Sequence, residues 1–154
     1  MYPKSFLLVC ALLFLEVSGS QRTKQQNKPR TKESQATSPT RPRDEKAAAC
    51  INQIHPDEEE EASFFRKEIP ETEKGKCLLA CYLEGKGVMS EGKFNSKGAA
   101  RVATQAFPNS LTKSGQVKHI LSHCGTIASR ETDKCLLAYK LADCTTMLSD
   151  KFKL

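Results

Sequence analysis

Six cysteines between Cys50 and Cys144 follow the spacing C-x26-C-x3-C-x42-C-x10-C-x8-C, and a chain pinned at six such points has few ways to fold. A seventh, Cys10, stands apart inside ten uninterrupted apolar residues, Phe6 to Leu15. Lys4 precedes that run, and Ser18, Gly19 and Ser20 follow it, the order of charge, apolar stretch and small residues that a secretory signal requires. Ten helical residues rise only about 15 Å, roughly half the hydrocarbon core of a bilayer, so the run reads as a signal peptide over residues 1–20 rather than a membrane span. Cleavage after Ser20 removes Cys10 and leaves an even number of cysteines for an oxidising compartment, where disulfides are the default. The expected location is extracellular.

Six cysteines allow fifteen pairings, and helix geometry removes some of them. Cys77 and Cys81 lie one turn apart on one helix face, where a bridge would stitch the helix to itself and constrain little. Cys135 and Cys144 are separated by about 13 Å if one helix carries both, beyond the reach of a disulfide. Ten schemes stay open.

Charge divides the chain a second way. Residues 21–46, QRTKQQNKPRTKESQATSPTRPRDEK, contain no aromatic side chain and no Leu, Ile, Val or Met, with eight basic residues against Glu33, Asp44 and Glu45. Such a segment cannot bury a core and is expected to be a disordered basic arm. It offers electrostatic contact to an anionic surface or to a chemoreceptor, but it lacks the interleaved aromatics of a nucleic-acid strand binder, and no nucleic acid is expected as a partner. Residues 47–154 carry fifteen basic and fourteen acidic side chains and are nearly neutral.

That remaining stretch reads as helix almost throughout. An alanine triplet supports a helix from Glu45 to Ile54; Pro56 and the acidic run Asp57 to Glu61 open a second, which Ile69 before Pro70 should end. Consecutive glutamates on a helix point about 100° apart, so the run is electrostatic capping rather than a calcium site. CLLACYL, Cys77 to Leu83, makes the segment Lys74 to Glu84 apolar on most sides. Ser96 to Ala106 follows, with Asn95 or Ser96 as its cap. Val117, Ile120, Leu121, Cys124 and Ala128 form the inward stripe of an amphipathic helix from Leu111 to Ala128. Thr132 is placed to cap the last helix, Asp133 to about Leu148. No alternating strand pattern is visible, and the fold class is all-α with six short helices.

Rival chemistries find little support. A zinc site from Cys77, Cys81, His119, His123 and Cys124 competes with oxidation of the sulfur, and the two histidines lie more than about 100° from the apolar stripe of their helix. There is no GxSxG and no glycine-rich calcium loop, so no enzyme activity, no cofactor and no metal centre are expected.

Three residues between the second and third cysteines, eight between the fifth and sixth, the ACYL-type helix with a glycine-bounded turn, and CLLAYKLADC at the end together resemble the insect odorant-binding proteins, the pheromone-binding and general odorant-binding family. The resemblance covers about Glu45 to Leu154. It implies the interlocked bridges Cys50 to Cys81, Cys77 to Cys135 and Cys124 to Cys144, one of the ten schemes. It also implies six helices around an apolar cavity that carries a small hydrophobic molecule through aqueous fluid, as a monomer or weak homodimer.

Expected lining residues are Phe64, Phe65, Leu83, Val88, Met89, Phe94, Val102, Phe107, Leu121, Leu137, Tyr139 and Leu141, with Tyr82 and Tyr139 as polar handles. Phe152 and Leu154, in a tail free from about Ser149, are expected to form a lid. The alternative function is a secreted helical protein that acts through its basic arm without a small ligand.

Overall fold

The structure is a computed structural model and describes residues 44–154. The signal peptide and most of the basic arm, residues 1–43, lie outside the described residues. Among the described residues the order is α1 (Glu45–Ile54), α2 (Glu58–Arg66), α3 (Glu73–Gly85), β1 (Met89–Ser90), β2 (Lys93–Phe94), α4 (Ser96–Ala106), α5 (Leu111–Ala128) and α6 (Lys134–Phe152). The last residues of the charged arm thus belong to a helix: Asp44 caps α1, and Glu45 and Lys46 form its first turn.

Side-chain caps set each helix start. Asp57 and Glu60 exchange hydrogen bonds as a capping box on α2, which accounts for part of the acidic run, and the other glutamates sit where the helix dipole favours them. Thr72, Asn95 and Ser110 each accept a backbone N–H at the start of α3, α4 and α5. On α6 the cap is Asp133, not Thr132; its carboxylate accepts from Leu136 N at 2.7 Å. Two helix ends differ from the sequence expectation. Helix α2 stops at Arg66 because Lys67 turns left-handed (φ 62°) and donates back to Phe64 and Ser63 carbonyls, leaving Ile69 in the connection. Helix α6 runs on to Phe152, four residues past Leu148, before Lys153 turns left-handed.

A two-residue hairpin, absent from the sequence expectation, joins α3 to α4. Met89 pairs with Phe94 and Ser90 with Lys93. Glu91 and Gly92 both have positive φ, the conformation of the tight turn whose twist suits a hairpin. Two residues per strand leave no room for alternation to show. Glu84 secures the hairpin from below, accepting from Gly92 N at 2.9 Å and pairing with Lys134 of α6 at 3.3 Å.

The three disulfides are Cys50–Cys81, Cys77–Cys135 and Cys124–Cys144, with Cα separations of 5.7, 4.4 and 5.6 Å. They tie α1 to α3, α3 to α6 and α5 to α6. Helix α3 is the shared wall between two apolar clusters. On one side Leu78 and Tyr82 meet Ala47 and Cys50 of α1, with Phe64 of α2 packed against them. On the other, Leu79, Ala80 and Leu83 join the main core, to which β1, α4, α5 and α6 contribute. Burial on both faces explains the unbroken CLLACYL run. Helix α4 approaches the turn after α3 so closely that a Cβ on Gly98 would stand 1.7 Å from the Gly87 carbonyl oxygen, so only glycine fits there. No helix among the described residues is long and apolar enough to cross a membrane.

Candidate ligand-binding site

Seven expected lining residues share the main core. Leu83 comes from the last turn of α3, Val88 and Met89 from the lead into the hairpin, Val102 from α4, Leu121 from α5, and Leu137 and Leu141 from successive turns of α6. All are buried, and Phe94 and Phe107 pack against them half-buried. Phe94 lies flat on α5 because Gly125 leaves it room; a Cβ there would fall 2.2 Å from the ring. Leu79, Val117 and Ile120 line the same interior and were not among the expected residues, and Leu154, expected as part of a lid, joins them. The period of α5 already marked Val117 and Ile120 as inward.

Four expected residues do not join this group. Phe64 belongs to the smaller cluster, edge-on to the Tyr82 ring at 5.3 Å. Phe65, the next residue on a short helix, points about 100° away and is 37% exposed. Tyr139 is half-buried outside the main core, with the Lys76 ammonium of α3 5.2 Å from its ring centre. Phe152 is 48% exposed. Tyr82, expected as a handle inside the apolar site, instead donates its hydroxyl to Asp44 at 2.9 Å, on the α1 side of α3.

Asp44 gathers a small polar cluster there. It accepts from Tyr82, from Lys46 N at 3.0 Å and from Lys86 at 2.8 Å. Burial pushes its carboxyl toward the neutral form, but the hydrogen bonds from Lys86, Tyr82 and Lys46 N outweigh it and hold the group below its ordinary value. On the surface of α2, Arg66 grips Glu68 and Glu59 at 2.9 and 2.7 Å. The bond from Arg66 keeps Glu68 ionised below the usual carboxylate range. Neither cluster faces the main core.

A concave feature lies where α6 ends against α5. Gly115, Gln116, His119, Ile120 and Phe152 enclose a surface hollow of about 260 Å³. The chain's last residues shape it. Lys153 N–H reaches Asp150 O and Leu154 N–H reaches Ser149 O, a reversal that turns the terminal leucine back into the main core at 3% exposure. Phe152 stays outside, over the hollow. The expected free tail from Ser149 is therefore helical as far as Phe152, and Leu154 rather than Phe152 makes the buried contact. Ser149 is completely buried and its hydroxyl has no hydrogen-bond partner. All six cysteines of the described residues are in disulfides, which removes thiolate from any zinc site.

The profile of the PBP/GOBP family matches residues 40–147, which include all six bridged cysteines. The chain belongs to this family. Among solved structures, the fold is similar to the odorant-binding protein dmelOBP28a from Drosophila melanogaster, at 24% identity and a TM-score of 0.58, covering 71% of this chain and 91% of that one. It is also similar to the fatty acid binding protein OBP56a from the oral disk of the blowfly Phormia regina, at 23% identity and a TM-score of 0.54, covering 71% of this chain and 88% of that one. At these identities the likeness is one of fold. No curated protein matches the chain. The all-α architecture, the interlocked bridges and the family are thus as the resemblance implied.

Proposed function

We propose that the protein is a secreted carrier that holds a small apolar molecule among α3, α4, α5 and α6 and moves it through aqueous fluid. The observation that carries this reading is the convergence of Leu83, Val88, Met89, Val102, Leu121, Leu137 and Leu141, from α3, the hairpin, α4, α5 and α6, on one interior within a PBP/GOBP framework. That interior is apolar, so shape and apolar area select the ligand more than directed polar contacts do. Burial gains about 0.8 kcal/mol per methylene, so a ligand of roughly ten carbons gains about 8 kcal/mol before losses of freedom, which makes the micromolar scale the tight limit for such a ligand. The fatty-acid and odorant names of the structural neighbours fit a ligand of that kind. The disulfides offset the core contacts that a ligand-holding interior gives up, at about 3 to 4 kcal/mol each in the chain-entropy picture. The site acts by binding and release, without catalysis.

The test is solvent extraction of natively purified protein followed by mass spectrometry, together with displacement of a fluorescent apolar probe. A stoichiometric apolar molecule and probe displacement by medium-chain compounds are expected. Protein that carries no extractable molecule and binds no probe overturns the carrier reading and leaves action through the basic arm.

A further inference from the structure

We propose that His119 and His123 form an exchangeable transition-metal site on the exposed side of α5, where His119 also borders the hollow beneath Phe152. The two residues are one turn apart, about 6 Å along the axis and about 40° around it, so their imidazoles are neighbours on one face. This is the helical spacing by which paired histidines hold zinc in the HExxH arrangement. Helix α5 is unbroken from Leu111 to Ala128, with more than a turn on either side of the pair, so the spacing is fixed before any ion arrives. Both side chains are exposed, and neither makes a hydrogen bond or ion pair with another described residue. Gly115, one turn before His119, has nothing within 4 Å of where a Cβ would stand, and the hollow it shares with His119 is bordered by Phe152. Lys118, the adjacent cation, projects about 100° away from His119.

The same residues say what the site does not do. In His119-Ile-Leu-Ser-His123 the place of the HExxH glutamate is taken by Ile120, which is 2% exposed and packed in the core. There is no carboxylate to serve as a general base, so the site binds without hydrolysing. Among the described residues no group of three or more His, Cys, Asp or Glu side chains converges, and the disulfides lock away the sulfur. Two imidazoles therefore supply the protein's share of the coordination and water supplies the rest. Imidazole suits copper, nickel and zinc, and the order of stabilities favours divalent copper.

The experiment uses the full disulfide-bonded protein without a histidine tag, titrated with Cu²⁺ and followed by electron paramagnetic resonance. One equivalent with coupling to two imidazole nitrogens is expected. The second imidazole acts at millimolar effective concentration or above, so H119A and H123A should each weaken copper binding roughly a hundredfold, while H55A leaves it unchanged. Asparagine variants at both positions control for any disturbance of α5, and the copper-induced rise in melting temperature should disappear with them. Unchanged affinity in the H119A/H123A double variant, or coupling to a single imidazole in the parent, overturns the proposal. Neither outcome depends on whether the interior carries an apolar ligand.

Discussion

Replacing Leu154 by alanine removes the outer methyls of a side chain that is 3% exposed at the very end of the chain. Burial of a leucine contributes about 1.5 to 3 kcal/mol, and truncation in a closed core costs about 2 to 5 kcal/mol once the cavity is included. The lower end applies here, because the backbone bond from Leu154 to Ser149 survives the change and holds the turn in place. A loss of about 2 kcal/mol corresponds to a fall in Tm of roughly 10 °C for a domain near 100 residues. Urea and thermal unfolding of the oxidised protein measure it, with Phe152→Ala as the internal comparison. Phe152 is 48% exposed, so its truncation should cost less than half as much. If L154A is within about 0.5 kcal/mol of the parent, in the range of an ordinary surface change, the terminal leucine is not a core residue and the packing argument for the chain end fails.

Three further outcomes follow from other contacts. Gly125→Ala drives a methyl into the Phe94 ring, now 2.2 Å from that position, and should destabilise by about 1 to 3 kcal/mol and weaken apolar probe binding, as read by denaturation and probe titration. Asp44→Asn removes a carboxylate whose pKa lies below its reference value of 3.8, so the parent's advantage of about 1 kcal/mol should be complete above that pH, shrink as pH falls through the depressed folded value, and vanish below it in paired melting curves. Cys77→Ser with Cys135→Ser opens a bridge spanning 58 residues and should cost about 4 kcal/mol, while non-reducing peptide mapping of the parent should recover the three pairings and no free thiol.

What could be read from the residues was whatever local rules and spacing control. Helices α4 and α5 begin and end where Asn95, Pro108 and the Val117 to Ala128 stripe put them, because capping and amphipathic period are properties of neighbours in sequence. The bridges needed the family pattern as well, since helix geometry alone left ten pairings open. Side-chain destinations were harder. Phe64, Phe65 and Tyr82 are as apolar or amphipathic as Phe94, and only the packing of α1 and α2 on the far side of α3 separates them from the main core. The hairpin escaped notice because its strands are two residues long, and the end of α6 because Ser149 and Asp150 look like tail until the reversal at Lys153 buries Leu154.

The way the bridges overlap has a consequence for how the protein survives among proteases. Cys77 lies inside the loop closed by Cys50 and Cys81, and Cys124 inside the loop closed by Cys77 and Cys135, which itself overlaps the loop ending at Cys144. Every peptide bond from Cys50 to Cys144 is therefore spanned by at least one disulfide. A single nick anywhere in that interval, in the connection after α2 or at the exposed start of α5, releases no fragment. The pieces remain covalently joined, and a cleaved molecule keeps the connectivity it needs to close again around its interior.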